Sequence, residues 1–172
     1  MLKKLAHLLA LFGTLIAMAA TSLAGEFQPL FDKNLSNADF PKGIWSRDDA
    51  GVITAAKDKI IWTKADYENY ILRLEFKNGE ATNSGIFVYA SDTDAWRTDS
   101  VEIQIADDYA EKWSSKPLRW QCGALFGRQA AYERAVKKPG EWNQITIICS
   151  GPTISVHLNG IRVNSIDLRQ FT

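Results

Sequence analysis

Residues 156–163 read VHLNGIRV. Val156 and Leu158 alternate with His157, and Ile161 and Val163 resume the alternation after the pair Asn159-Gly160. A type I′ turn needs positive φ at both central residues, and Asn-Gly adopts it at the lowest steric cost. The stretch is therefore a β-hairpin, with residues 153–158 turning back into 161–164. The same pattern extends outward from it. Residues 142–149 and 100–106 read as strands, and residues 84–90 are apolar on both faces, as a central strand would be. Residues 70–77 set Tyr70, Leu72, Leu74 and Phe76 against Ile71, Arg73, Glu75 and Lys77. Shorter strands are expected at 51–54, after the Asp48-Asp49 turn, and at 60–63. A helical turn fits within 109–119, where Pro117 limits its length. The punctuation is Gly, Asn and Asp, with no internal repeat and no interdomain linker. Seven or more antiparallel strands of this kind define an all-β chain, a two-sheet antiparallel sandwich or jelly roll.

The N-terminus is of another kind. Lys3 and Lys4 precede an almost entirely apolar run over 8–20, and Ser22-Leu23-Ala24 places small residues before Gly25. This is a secretory signal over residues 1–24, since the apolar run is shorter than the roughly 20 residues of a spanning helix. The mature chain, 25–172, is expected to be one exported domain, periplasmic or extracellular, with no membrane partner after the signal is removed. Without Lys3 and Lys4, 18 basic side chains face 20 acidic ones, a net charge of about −2. No basic run or arm is present, so nucleic acid is not an expected partner. Two cysteines, Cys122 and Cys149, form either an export-compatible disulfide or two buried thiols. Neither has metal-ligand spacing with His157.

"VEIQIADD", residues 101–108, carries the candidate chemistry. Parity puts Glu102 and Gln104 on one face, about 7 Å apart along the strand, and Asp107 and Asp108 follow at its end. Arg73 and Glu75 share a face of their own strand. If the two faces coincide, carboxylates, an amide and a guanidinium form a patch suited to sugar hydroxyls. The alternative is a solvated face with cross-strand ion pairs. A double-displacement glycosidase needs two carboxyl groups about 5 Å apart, and the next position on this face is Ala106, so the strand alone does not supply them. The G-x-S-x-G elbow, the P-loop and HExxH are all absent. The six Trp are many for the length, and each serves equally as core or as a stacking platform.

The fragments "PLFDKNL", "ENYILRLEFK", "NSGIFV", "VEIQIADD", "CGALFG", "KKPGEWNQITI" and "VHLNGIRV" resemble, in this order and over residues 27–163, the 3-keto-disaccharide hydrolase family. The resemblance implies a concanavalin A-like jelly roll and a carbohydrate-active exported protein acting on glycosides oxidised to a ketone at C3. Carried onto this chain, the motif positions are Asn83, Ser84 and Gly85, then Glu102, Gln104 and Asp107, then Glu141, Trp142 and Asn143. The resemblance implies Glu102 as acid/base or cation ligand, Asp107 as its partner in a catalytic or metal role, Gln104 on the substrate, and Asn83 orienting a neighbour. Gly85 is expected to serve strand packing, and Trp142 the core. Arg73 and Glu75 join the substrate-binding set on parity alone. No cofactor motif is present, and a divalent cation is the one cofactor the acids admit.

The family pattern has Arg where this chain has Tyr89, Tyr where it has Val101, and "TGALY" where it has "CGALF". It closes with a strand carrying "GLQ-x-H" and an "FRNI"-like segment that is not matched before Thr172, so the sequence reads as truncated or as lacking that strand. Three readings follow: a 3-keto-glycoside hydrolase or lyase, a non-catalytic carbohydrate-binding module on the same sandwich, and an interaction domain without a sugar site.

Overall fold

The structure, a computed structural model, describes residues 26–171; the leader read over residues 1–24 lies outside them. The regular structure of the described chain is nearly all antiparallel strand, and the chain gathers into two compact units, residues 26–64 and 65–171.

The first unit holds four short strands, β1 (Ala38–Asp39), β2 (Trp45–Arg47), β3 (Ile53–Ala55) and β4 (Trp62–Thr63). β1 pairs with β4 and β2 with β3. Asp48 turns β2 into β3 by accepting the Val52 amide at 2.8 Å, and Arg47 Nη1 donates to the carbonyls of Phe31 and Asp32.

The second unit holds β5 (Tyr70–Lys77), β6 (Asn83–Val88), β7 (Val101–Ala106), β8 (Trp142–Ser150), β9 (Thr153–Leu158) and β10 (Ile161–Asp167), with one helical turn, α1 (Glu111–Ser114). β10, β9, β8 and β5 form one antiparallel sheet in that order, and β6 pairs with β7 in a separate ribbon. Alternation explains the layering. Ile145, Ile147 and Cys149 of β8 and Ile154, Val156 and Leu158 of β9 point inward. They share one core with Val88, Val101 and Ile103 of the ribbon and with Cys122 and Leu125. The result is an antiparallel sandwich of the jelly-roll type, as the strand pattern implies. Asn159 and Gly160 both have positive φ, 51° and 84°, and the hairpin they close is the one legible in residues 156–163. β10 continues to Asp167 because a bulge between Arg162 and Asn164 buries two successive residues, Val163 and Asn164.

Cys122 and Cys149 are buried free thiols. Trp142 departs from its expected core position. Parity places it on the outer face of β8, 43% exposed, with the Lys77 ammonium 5.1 Å from its ring centroid.

Candidate functional site

The outer face of the β6–β7 ribbon is built by register. Phe87 lies opposite Glu102, and Gly85 opposite Gln104. Past the far edge of β7 runs the segment after a short 3-10 turn at Leu118–Trp120. There Ile103 bridges Leu125, and the Phe126 amide donates to the Glu102 carbonyl at 2.9 Å. Ile103 and Leu125 are fully buried in the core, so Phe126, the next residue, takes the face that carries Glu102. A row Phe87–Glu102–Phe126 results, an acid flanked by two aromatic rings. Each ring is itself buttressed: Phe87 meets Trp96 edge-on at 4.7 Å, and Phe126 meets Trp120 at 5.3 Å. Arg97 lies 4.4 Å over the Trp96 ring.

Glu102 is half-buried, and burial pushes its carboxyl above the ordinary value of 4.5. Losing water disfavours the charged form of an acid. Gln104 is fully buried and donates from Nε2 to Asn83 Oδ1 at 2.9 Å. Its Oε1 is buried with no protein partner. Such a carbonyl retains its capacity to accept a hydrogen bond, and leaving it unmet costs about 1–3 kcal/mol. Glu102, Gln104 and Asn83 are thus brought together on one ribbon face.

Asp107 has a different task. It is 3% exposed; Oδ2 accepts the Ala81 amide at 2.9 Å and Oδ1 accepts the Tyr109 amide at 3.1 Å. Both oxygens clamp backbone, so the carboxylate holds the β5–β6 turn to the end of β7. Asp108 is likewise buried and accepts the Cys122 amide at 2.9 Å.

Arg73 and Glu75 do not join the patch. β5 pairs with β8, opposing Arg73 to Thr146 and Glu75 to Gln144, so both lie on the outer face of the four-stranded sheet, with the core between them and the ribbon. That face also carries a shallow pocket of about 200 Å³ lined by Gln144, Thr146, Ile148, His157 and Gly160. Among the described residues, no three His, Cys, Asp or Glu side chains converge as metal ligands. Glu102 brings one carboxylate and two amide neighbours, which is a poor ligand set for a divalent ion.

Sequence reading missed the aromatic flanks. Phe87 was accessible through strand parity, in register with Glu102. Phe126 and Trp120 come from a non-local segment whose approach to β7 has no alternation signal.

With this all-β fold, the family and the glycosyl-hydrolase relatives it matches make this a carbohydrate-active protein. The sequence matches the 3-keto-alpha-glucoside-1,2-lyase-like domain over residues 26–171, and the chain belongs to that family. A comparison with curated proteins returns no match. Among solved structures, three proteins of Parabacteroides distasonis, each described as a "putative glycosyl hydrolase", are similar. The first is 48% identical with a TM-score of 0.83, covering 86% of this chain and 75% of its own. The second, at 22% identity and a TM-score of 0.67, shares the fold over 78% of this chain and 68% of its own. The third is 28% identical with a TM-score of 0.61, over 78% of this chain and 62% of its own.

Proposed function

We propose that this chain is an exported enzyme that cleaves 3-keto-glycosides by elimination. The observation that carries the reading is Glu102, a single half-buried carboxyl with raised proton affinity, set between Phe87 and Phe126 with no second acid on its strand face. One carboxylate is too few for double displacement but enough for elimination. A ketone at C3 acidifies the C2 proton. Glu102 takes that proton, and the C2–H electron pair becomes the enolate. The enolate collapses to a C1–C2 double bond conjugated with the restored ketone, and the C1–oxygen bond breaks. The departing oxygen takes a proton back from the Glu102 carboxylic acid. Water adding across the double bond, with its oxygen at C1, completes net hydrolysis. A base with raised proton affinity is the stronger proton acceptor. Gln104, itself buried, holds the exposed Asn83 amide by its Nε2 hydrogen bond, leaving Asn83 to meet sugar hydroxyls, and the Phe87 and Phe126 rings offer apolar faces to a pyranose. The family and the glycosyl-hydrolase relatives support the substrate class, and the leader-like residues 1–24 support export.

The test is turnover of a chromogenic 3-keto-glucoside beside the unoxidised glucoside. Release from the ketone alone is expected, and Glu102→Gln should lower kcat by about 10²–10⁴-fold while sugar affinity persists. Binding of the sugar without release from either substrate would replace the enzyme with a binding module. Equal release from both would remove the role of the ketone.

A further inference from the structure

Gly85 stands on β6 opposite Gln104, two residues from Phe87, the partner of Glu102. A Cβ at this position would lie 2.3 Å from Glu102 Oε1, 2.7 Å from its Cγ and 2.9 Å from its Cδ. The Glu102 side chain therefore fills the space that any other residue's side chain would need. Glycine is not required here by the backbone: Gly85 is absent from the positive-φ glycines and sits in regular antiparallel pairing. What it supplies is room, and the atoms in that room belong to Glu102. Gly123 makes a useful contrast. A Cβ there would meet Val163 at 2.9 Å, but its φ of 81° already demands glycine.

We propose that Gly85 is the positioning residue of Glu102, its missing side chain forming the seat that holds the carboxyl diagonally against the strand pair, where it meets the sugar. The proposal rests on the reading of Glu102 as the base. A free glutamate on a strand surface samples several rotamers and points into water. The seat selects the one that lies across β6. It also keeps the carboxyl partly out of water, the condition that raises its proton affinity. An added methyl displaces the flexible arm of Glu102 rather than a neighbouring backbone, so its effect falls on the acid.

Three variants of the mature chain test this: Gly85→Ala, Glu102→Ala and the double variant. Each is followed by thermal denaturation, by turnover of the 3-keto-glucoside and, where Glu102 is retained, by an NMR titration of its side-chain carboxyl carbon. Gly85→Ala is expected to fold, to lower the Glu102 midpoint toward that of an exposed glutamate, and to reduce kcat by at least 100-fold with KM within a few-fold. Adding Gly85→Ala to the Glu102→Ala chain should leave the melting temperature equal or higher, because the seat is then vacant. Should Gly85→Ala unfold the wild type and not the Glu102→Ala chain, the clash between the two residues is demonstrated and the proposal stands. An unmoved Glu102 midpoint, or unfolding in both backgrounds, overturns it. If the wild type turns over no ketone substrate, the midpoint still decides the role of Gly85, and only the elimination reading falls.

Discussion

Asp107 offers the sharpest separation of chemistry from architecture. The resemblance pairs it with Glu102 in catalysis, whereas the structure spends both of its oxygens on the amides of Ala81 and Tyr109. The clamp is one strand of a wider fastening. The Asp107 amide donates to the Thr82 carbonyl at 3.1 Å, Asn78 Nδ2 to the Ala106 carbonyl at 3.0 Å, and Trp113 Nε1 to the Ala81 carbonyl at 3.1 Å. Ala81 itself is held at φ 52°, which a non-glycine residue keeps only when its surroundings enforce it. Asp107→Ala removes two hydrogen bonds to a charged group, each contributing about 1.5–3 kcal/mol. Because the loosened turn can let water reach the amides, the lower end of the sum, about 3 kcal/mol, is the expected loss. At roughly 2–4 °C per kcal/mol for a chain of this size, the melting temperature should drop by about 6–12 °C. Asp107→Asn keeps one acceptor oxygen and should lose about half as much. Below their transitions, both variants should turn over substrate within a few-fold of wild type. An Asp107→Asn protein that melts with the wild type yet has lost turnover 100-fold would refute the clamp and return Asp107 to the chemistry.

Two further outcomes follow from burial. Glu102 binds its proton more tightly folded than unfolded, so its contribution to stability is most favourable at low pH and declines as pH rises from about 4.5 through the raised folded value. Glu102→Gln should therefore be at least as stable as wild type at pH 7, with the advantage disappearing toward pH 4; melting curves from pH 4 to 7 check this, and parallel curves would contradict the buried acid. Cys122, whose thiol burial pushes up to about 12, and Cys149, raised by the same cause, should resist a thiol reagent in the native protein and both react in denaturant. Rapid native labelling of either one, or a mass two units low from a disulfide, would count against two buried thiols.

Strand identity was largely legible, and strand partnership was not. β5 and β9 form at the residues their alternation marks, because one face of each meets the core and the other does not. β6 starts one residue earlier and stops two residues earlier than its apolar run implies, since Tyr89 turns to φ 56° and its hydroxyl donates to the Gly151 carbonyl at 2.5 Å. β10 outruns its pattern because a bulge hides a change of parity. β1 and β2 are too short for alternation to mark; β1 forms by pairing with the distant β4, and β2 by turning back into β3. The same limit shaped the site. Alternation placed Arg73 and Glu75 together and Glu102 and Gln104 together, but a period of two says nothing about which strands are neighbours. Trp142 shows that even the choice of face needs the sheet: it shares parity with Gln144 and Thr146, not with Ile145.

Register explains why this ribbon can hold one acid in a defined pose. Phe87 and Phe126 stand on either side of Glu102, tall and apolar, while the position across from Gln104 is Gly85, with no side chain at all. Tall neighbours in one row and an empty place in the next leave the glutamate one direction to fold, diagonally over β6. Ala106, farther along that face, is fully buried, so a carboxylate there would be stripped of water and would sit about 13 Å along the strand from Glu102. For a reaction that needs one base, the alanine there is an advantage. Ala106→Asp should therefore lower the melting temperature by burying an unpaired acid and leave the Glu102 midpoint close to its wild-type position, which melting curves and a carboxyl NMR titration would check. An added acid that increased cleavage of the unoxidised glucoside would instead show that this face had been one carboxylate short of an ordinary glycosidase, and would count against elimination.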